Sequence, residues 1–162
     1  MRTGRKAPNY EGLTNLDARF RMMDQFPGYR QVISLAGPPP EHVAPGASVE
    51  LATIANDELA ALVAAYQDRF AGAAAAVPMN DPERACREIE RAAGPLGLCA
   101  VQIYSNVNGR PLDAPEFRVV FRTLAERGVP ILLHPARGRT HADYAAERDS
   151  KYLVWQTIGW PY

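Results

Sequence analysis

The sequence predicts an α/β protein whose strands form a parallel sheet. Segments with apolar residues at helical spacing alternate with short runs rich in β-branched and aromatic residues, in the order α-β-α-β-α-β-α-β-α. Such alternation favours right-handed βαβ units. The run Val129–Leu133 is apolar at every position, which is typical of a strand covered on both faces. Several prolines follow apolar runs, and because proline cannot donate to a sheet ladder they mark strand ends.

The first half of the chain is predicted to hold two helices and two strands. Residues 15–26 carry apolar side chains at helical spacing and stop at a Pro-Gly pair. The strand Tyr29–Ala36 follows and ends at a glycine and three prolines. Ser48 is predicted to cap a long helix whose apolar stripe runs to Phe70. A short strand of small residues, Ala73–Pro78, comes after it.

The second half repeats this alternation. An Asp-Pro pair at 81–82 is predicted to start a helix, with the aspartate as N-cap. Leu98–Ser105 has the composition of a strand, and the Asp-x-x-Glu motif at 113–116 resembles a capping box for a helix that ends at Gly128. Residues 142–156 have an amphipathic helical pattern. Periodicity alone leaves a small doubly wound sheet and part of a closed barrel as equal alternatives.

The composition predicts one domain, residues 1–162, with residues 1–14 flexible. Lys plus Arg and Asp plus Glu number 18 each, so the net charge is zero and a nucleic-acid-binding surface is not expected. The basic start is followed by no apolar stretch typical of a secretory signal. The longest apolar run, Ala71–Met79, is too short to cross a bilayer. The two cysteines fit a reducing compartment, so we expect a cytoplasmic protein without membrane contact.

Polar side chains follow three of the predicted strands. Parallel α/β proteins place their active sites at the carboxyl ends of the strands, where Asn80, Asn106 and His134 are expected. His134 directly follows a wholly apolar strand, and a neutral imidazole at this place is a natural ligand for Zn²⁺ or Mn²⁺. The alternative is a histidine that is hydrogen-bonded to a neighbouring loop.

The other candidates carry less weight. A catalytic zinc ion needs about three protein ligands, yet His42 and His141 lie several residues past their strands and are predicted to be surface residues. Arg137, just past His134, could hold a substrate carboxylate in a bidentate pair or could simply be solvated. Cys99 is predicted to lie in the core. No dinucleotide-binding glycine motif or P-loop occurs.

Five stretches carry a resemblance to a known family. They are YRQVISLA (29–36), PMNDP (78–82), VQIYSNVNGRPLD (101–113), ILLHPARG (131–138) and KYLVWQTIGWPY (151–162). In this order and spacing the chain resembles the amidohydrolase-related family that includes aminocarboxymuconate-semialdehyde decarboxylase and the resorcylate decarboxylases. VQIYSNVNGRPLD and ILLHPARG are the specific segments.

The resemblance implies a distorted (β/α)₈ TIM-type barrel that holds one divalent metal, usually Zn²⁺, with Mn²⁺ as the alternative. It also implies non-oxidative decarboxylation of a small aromatic or unsaturated carboxylic acid, with His134 as a metal ligand. From their loop position, Asn106 and Asn108 are expected to line the substrate pocket together with Arg137.

The chain also departs from the family pattern. No H-x-H or E-x-H pair precedes Asn15, and the family's acid/base histidine and aspartate ligand would fall beyond Tyr162. The resemblance therefore covers strands two to five, four parallel strands alternating with helices. We expect a fragment that does not hold a catalytic metal by itself, from a parent that forms homo-oligomers. Two alternatives stay open: a metal-dependent amidohydrolase, and an inactive fragment that self-associates through its open sheet edges.

Overall fold

The structure is a computed structural model, and it describes residues 11–136 together with residues 146 and 148. Helices and strands alternate along this part of the chain. The helices are α1 (Glu11–Thr14), α2 (Leu16–Met23), α3 (Pro45–Ala65), α4 (Pro82–Ala93) and α5 (Arg118–Arg127). The strands are β1 (Gln31–Ser34), β2 (Phe70–Ala76), β3 (Ala100–Tyr104), β4 (Asn106–Val107), β5 (Arg110–Pro111) and β6 (Ile131–His134). Single 3₁₀ turns form at Pro40–His42 and Pro115–Phe117.

Four strands form one parallel sheet in the order β1-β2-β3-β6. Successive strands of the sheet are neighbours, with a helix in each of the three connections, as right-handed βαβ units require. This confirms the predicted α/β class and the four parallel strands. The sheet curls as half of a (β/α) barrel does, and this decides between the two alternatives that periodicity left open. Strands β4 and β5 form a small antiparallel hairpin in the loop after β3.

The core lies between the sheet and the helices. Alternate strand residues point to this layer and are buried there with the apolar faces of α3, α4 and α5. The members of this layer from the four-stranded sheet are Ile33, Phe70, Ala73, Ala75, Val101 and Ile103. The opposite, inner face of the sheet carries Ala74, Gln102 and Tyr104, which are also buried.

Several predicted element boundaries are wrong. Phe70 was assigned to the long helix, but α3 ends at Ala65 and Phe70 opens β2, where it pairs with Gln31. A phenylalanine at helical spacing fits both a helix and a strand, and its pairing with Gln31 of β1 places it in the strand. Ser48 does not cap α3, because the helix begins three residues earlier with Pro45 at its first position, where a missing N–H costs nothing.

The predicted capping box at 113–116 is also wrong. Ala114 precedes a 3₁₀ turn that starts with Pro115, and Glu116 forms an ion pair with Arg110 instead of closing a box. Other helix signals are confirmed. The Asp81 side chain accepts from the backbone N–H of Arg84 at 3.1 Å, and Gly128 ends α5 with a φ of 62°, a left-handed conformation that glycine adopts without strain.

The last described strand is less covered than its sequence predicts. Ile131, Leu132 and Leu133 are 43%, 47% and 57% exposed, because β6 pairs only with β3 within the described range. Cys99 is exposed just before β3 and is not a core residue. The predicted helix at 142–156 lies outside the described residues. None of the helices in the described part of the chain combines the length and the apolar character needed to span a bilayer.

Candidate active site

The inner face of the sheet carries polar side chains at the carboxyl ends of its strands. Gln102 and Tyr104 alternate with the buried Val101 and Ile103, so they point away from the helices. Paired residues of a parallel ladder share a face, and His134 pairs with Tyr104. The imidazole of His134 therefore emerges on the inner face at the open end of the sheet, where the metal hypothesis requires it.

Tyr104 and Pro135 are among the contacts of the His134 ring. Its centroid lies 4.8 Å from that of Tyr104, and its Nδ1 lies 2.8 Å from the carbonyl oxygen of Pro135. A carbonyl can only accept a hydrogen bond, so Nδ1 carries the proton there. In the neutral ring the lone pair is then on Nε2, the tautomer in which Nε2 can be a metal ligand.

The Gln102 side chain links Tyr104 to the end of β1 through two hydrogen bonds. Its Nε2 donates to the Leu35 carbonyl at 3.0 Å and to the Tyr104 hydroxyl at 3.2 Å. Strand β2 lies between β1 and β3, and the side chain can reach across it because β2 presents only alanine, Ala74 and Ala76, on this face. Burial, more than any other effect, raises the pKa of Tyr104.

A second group of contacts holds the loop after β1 over the ends of β2 and β3. The backbone carbonyl of Glu41 accepts from Asn108 Nδ2 at 2.7 Å and from Asn80 Nδ2 at 3.3 Å. Asn80 also donates to the carbonyl of Val43 at 2.8 Å. Asn80 follows β2 and Asn108 follows β3, so one carbonyl joins three strand-end loops. Asn108 has a positive φ of 52°, which asparagine tolerates better than most residues.

The carboxyl group of Glu41 is buried under this loop. Glu41 is only 2% exposed, and its Oε1 has no hydrogen-bond partner. Burial disfavours the charged form and raises the pKa of Glu41 to about 7, although its own backbone N–H opposes this. The ionised carboxylate contributes to the raised pKa of Tyr104, so it faces the same end of the sheet.

The structure brings together some of the predicted site residues and not others. Asn106 donates to the Ala136 carbonyl and accepts from the Gly109 N–H at 2.9 Å, so it shapes the loops beside His134. His42 is exposed, as predicted. Arg137 and His141 lie outside the described residues.

Sequence reasoning missed Glu41, Gln102 and Tyr104. The alternation of polar and apolar residues in VQIY (101–104) was a usable signal for the latter two, because polar residues at every second position mark a face without apolar cover. Nothing local marked Glu41, since its burial depends on asparagines 39 and 67 positions further along the chain.

A cavity of about 460 Å³ runs along the inner face beside β1. Gln102 and His134 border it at one side, and Arg19 and Arg30 border it near the start of β1. Arg19 donates to Gln31 at 2.9 Å, which holds its charge at the amino end of that strand. The two arginines therefore lie at the far end of β1 from the loops that carry Glu41.

The described residues do not by themselves form a metal site. Among residues 11–136, no group of three His, Cys, Asp or Glu side chains is placed to hold an ion. His134 has the position and tautomer of a ligand, but a catalytic metal needs about three. One ligand does not make a metal centre.

A curled parallel sheet with polar residues at the carboxyl ends of its strands has the architecture of part of a (β/α) barrel. The amidohydrolase family model matches residues 10–152, and the chain belongs to this family.

Curated relatives of the chain are decarboxylases. The decarboxylase orsB of Emericella nidulans is 35% identical over 121 residues, which cover 74% of this chain and 35% of that protein. A gamma-resorcylate decarboxylase of Polaromonas sp. is 36% identical, covering 74% and 38%. The 2-amino-3-carboxymuconate-6-semialdehyde decarboxylase of Dictyostelium discoideum is 35% identical, covering 56% and 25%. The chain thus spans less than two fifths of the length of these relatives.

Solved structures similar to the chain are also decarboxylases. The 5-carboxyvanillate decarboxylase of Sphingomonas paucimobilis superposes with a TM-score of 0.70 at 34% identity, covering 73% of this chain and 35% of that one. A dihydroxybenzoic acid decarboxylase of Polaromonas sp., with bound manganese and the inhibitor 2-nitroresorcinol, gives 0.69 at 32%, covering 75% and 39%. A 2,6-dihydroxybenzoate decarboxylase complexed with 2,6-dihydroxybenzoate gives 0.69 at 29%, covering 75% and 40%. Relatives thus bind a divalent metal and small carboxylic acids; manganese is the metal shown, and the preference for zinc finds no support.

Proposed function

We propose that this chain supplies part of the active site of a metal-dependent carboxy-lyase, which removes CO₂ from an aromatic or unsaturated carboxylic acid without oxidation. The observation that carries the proposal is the position of His134, on the inner face at the carboxyl end of β6, in a chain whose relatives are decarboxylases. The whole protein would bind one divalent cation, Mn²⁺ or Zn²⁺, through His134 and ligands from outside the described residues.

In the reaction the bond between the carboxyl carbon and the neighbouring carbon breaks. CO₂ leaves, the electron pair remains on the neighbouring carbon, and an acid protonates that carbon. The described residues contribute to binding and orientation. Gln102 holds the Tyr104 hydroxyl, and the Tyr104 ring packs against His134, so the inner wall has a fixed shape.

Asn108 and Asn106 are proposed to shape the substrate pocket. Their amides are engaged with the Glu41 and Ala136 carbonyls, so they position the loops that border the pocket. Arg137 remains the proposed partner of the substrate carboxylate, since a guanidinium can hold both of its oxygens.

The test measures CO₂ release. The whole protein, with the metal ligands that lie outside the described residues, is incubated with Mn²⁺ and either 2,6-dihydroxybenzoate or 5-carboxyvanillate, and CO₂ is quantified. We expect release that His134→Ala abolishes and that His42→Ala, a matched change at an exposed histidine of a neighbouring loop, leaves intact. Equal activity of the two variants, or no CO₂ from wild type, contradicts the proposal.

A metal-dependent amidohydrolase is the first alternative, and the family name favours it. It predicts hydrolysis of an amide or ester substrate with no CO₂ release, which the same incubation distinguishes.

Self-association of the chain is the second alternative. Within the described range β1 and β6 each pair with one strand only, and Val32, Leu132 and Leu133 are about half exposed there. Unpaired strand edges with apolar side chains favour association. Sedimentation would then show concentration-dependent oligomers, whereas a stable monomer would contradict it.

A further inference from the structure

Glu41 is a buried acid without an ion-pair partner among the described residues. No arginine, lysine or histidine among the described residues forms an ion pair with it, and its Oε1 accepts no hydrogen bond. A buried polar group without a partner lowers the stability of the folded protein. Such a group calls for an explanation outside the fold itself.

Unpartnered buried polar atoms concentrate around Glu41. Four side-chain atoms of the described residues are buried without a hydrogen bond, and three of them belong to Glu41, Ser48 and Asn80. The amide of Asn80 is bonded to the Glu41 carbonyl. Ser48 lies in the first turn of α3, which packs against the Pro40–His42 turn. Three buried oxygens without a hydrogen-bond partner therefore belong to this corner of the site: Glu41 Oε1, Ser48 Oγ and Asn80 Oδ1.

The same corner borders the inner face of the sheet. Asn80 and Asn108 hold the Glu41 loop above the ends of β2 and β3. Tyr104, which contacts His134, is close enough to Glu41 for the two groups to influence each other electrostatically. A ligand at the ends of β3 and β6 would thus lie at the same end of the sheet as the Glu41 carboxyl.

We propose that Glu41 is a substrate-binding residue whose carboxylic acid group, in its neutral form, donates a hydrogen bond to the carboxylate of the substrate. The inference rests on the proposed function and adds a specificity-determining contact to it. A neutral acid can donate to a carboxylate, whereas two carboxylates repel.

The electrostatic surroundings agree with a neutral Glu41. Burial holds its pKa at about 7, so a large share of the molecules carry the proton near neutral pH. Tyr104 interacts with it electrostatically across the site, and His42, the next residue in the chain, is exposed. Neither forms an ion pair that would fix Glu41 as an anion.

The test compares two ligands that differ in the carboxylate. The whole protein, with Mn²⁺, is titrated calorimetrically with 2,6-dihydroxybenzoate and with resorcinol, which lacks the carboxylate. Glu41→Leu removes the donor at similar volume, and Glu41→Gln keeps an N–H donor. Glu50→Leu is the matched control, since Glu50 is an exposed glutamate on α3.

We expect Glu41→Leu to weaken 2,6-dihydroxybenzoate binding at least tenfold, which corresponds to about 1.4 kcal/mol. Resorcinol binding should change less than about threefold, which is about 0.7 kcal/mol on the same scale. Glu41→Gln should retain most of the affinity, and Glu50→Leu all of it. Circular dichroism of each variant establishes that it is folded.

Three binding results would overturn the inference. They are unchanged 2,6-dihydroxybenzoate affinity in Glu41→Leu, an equal loss for both ligands, and no measurable binding of the carboxylate by wild type. Failure of the proposed function looks different, because carboxylate binding would then depend on Glu41 while no CO₂ is released. Conversely, CO₂ release that is unaffected in Glu41→Leu would refute the role of Glu41 alone.

Discussion

Asn56 is predicted to hold the end of β2, and its replacement should be strongly destabilising. Its side chain is fully buried on α3 and bonds both backbone groups of Ala76: Oδ1 accepts from the N–H at 2.8 Å and Nδ2 donates to the carbonyl at 2.8 Å. Nδ2 also donates to Glu88 at 2.6 Å. The β1–β2 ladder stops at Ser34 and Ala74, so the Asn56 amide takes the place of a strand partner beyond it.

The magnitude follows from the groups left without partners. Asn56→Leu leaves the N–H and C=O of Ala76 buried and unpaired, at about 1–3 kcal/mol each, so we expect a loss of about 4 kcal/mol. Asn56→Asp keeps the acceptor but places a carboxylate against the Ala76 carbonyl and Glu88. Its cost should be similar at neutral pH and smaller in acid, where the new aspartate is protonated.

Urea unfolding followed by circular dichroism measures these losses. Asn15→Asp is the matched control, because Asn15 is the exposed N-cap of α2 and aspartate caps equally well, so its change should stay within about 0.5 kcal/mol. Glu88→Gln removes one of the two carboxylates but also the charge that pairs with Arg91, so its own cost is measured in the single variant. The double-mutant cycle of Asn56→Asp and Glu88→Gln should then show a favourable coupling of about 1–2 kcal/mol. A loss below about 1 kcal/mol for Asn56→Asp, or no coupling in the cycle, would refute the reasoning.

Three further outcomes are expected. Glu41 titrates at about pH 7 when folded but near 4.5 when unfolded. Its contribution to the free energy of unfolding is full below pH 4.5 and is lost as the pH rises through 7, by up to about 3 kcal/mol at about 1.4 kcal/mol per pKa unit. Urea unfolding at pH 4.5 and at pH 8 measures the stability difference between wild type and Glu41→Gln, which should change by this amount between the two pH values. An equal difference at both pH values contradicts the prediction. Gln102→Leu leaves the Leu35 carbonyl without its side-chain partner and should lower the free energy of unfolding by about 1–3 kcal/mol in the same assay. An unchanged urea midpoint would contradict this. Mn²⁺ should broaden NMR signals of residues around His134 in wild type and not in His134→Ala, and broadening that survives the substitution would remove His134 as a ligand.

The positions of site residues show how far local patterns reach. His134 was predicted as a strand-end residue because an apolar run and a proline flank it, and the structure puts it there. Asn106 and Asn108 were predicted at the site from their loop, but their amides bond backbone carbonyls of other loops. Spacing along the chain predicts which end of the sheet a residue occupies; it does not predict which partner its side chain meets.

The sequence alone determined the α/β class, the four parallel strands and the position of His134, because these depend on periodicity and on signals within a few residues. The tertiary structure decided the curl of the sheet, the strand assignment of Phe70, the exposure of Cys99 and the burial of Glu41. Each of these depends on contacts between segments distant in the chain, such as the amides of Asn80 and Asn108 on the Glu41 carbonyl. Burial and pKa are properties of the assembled surroundings of a group, so no local pattern can supply them.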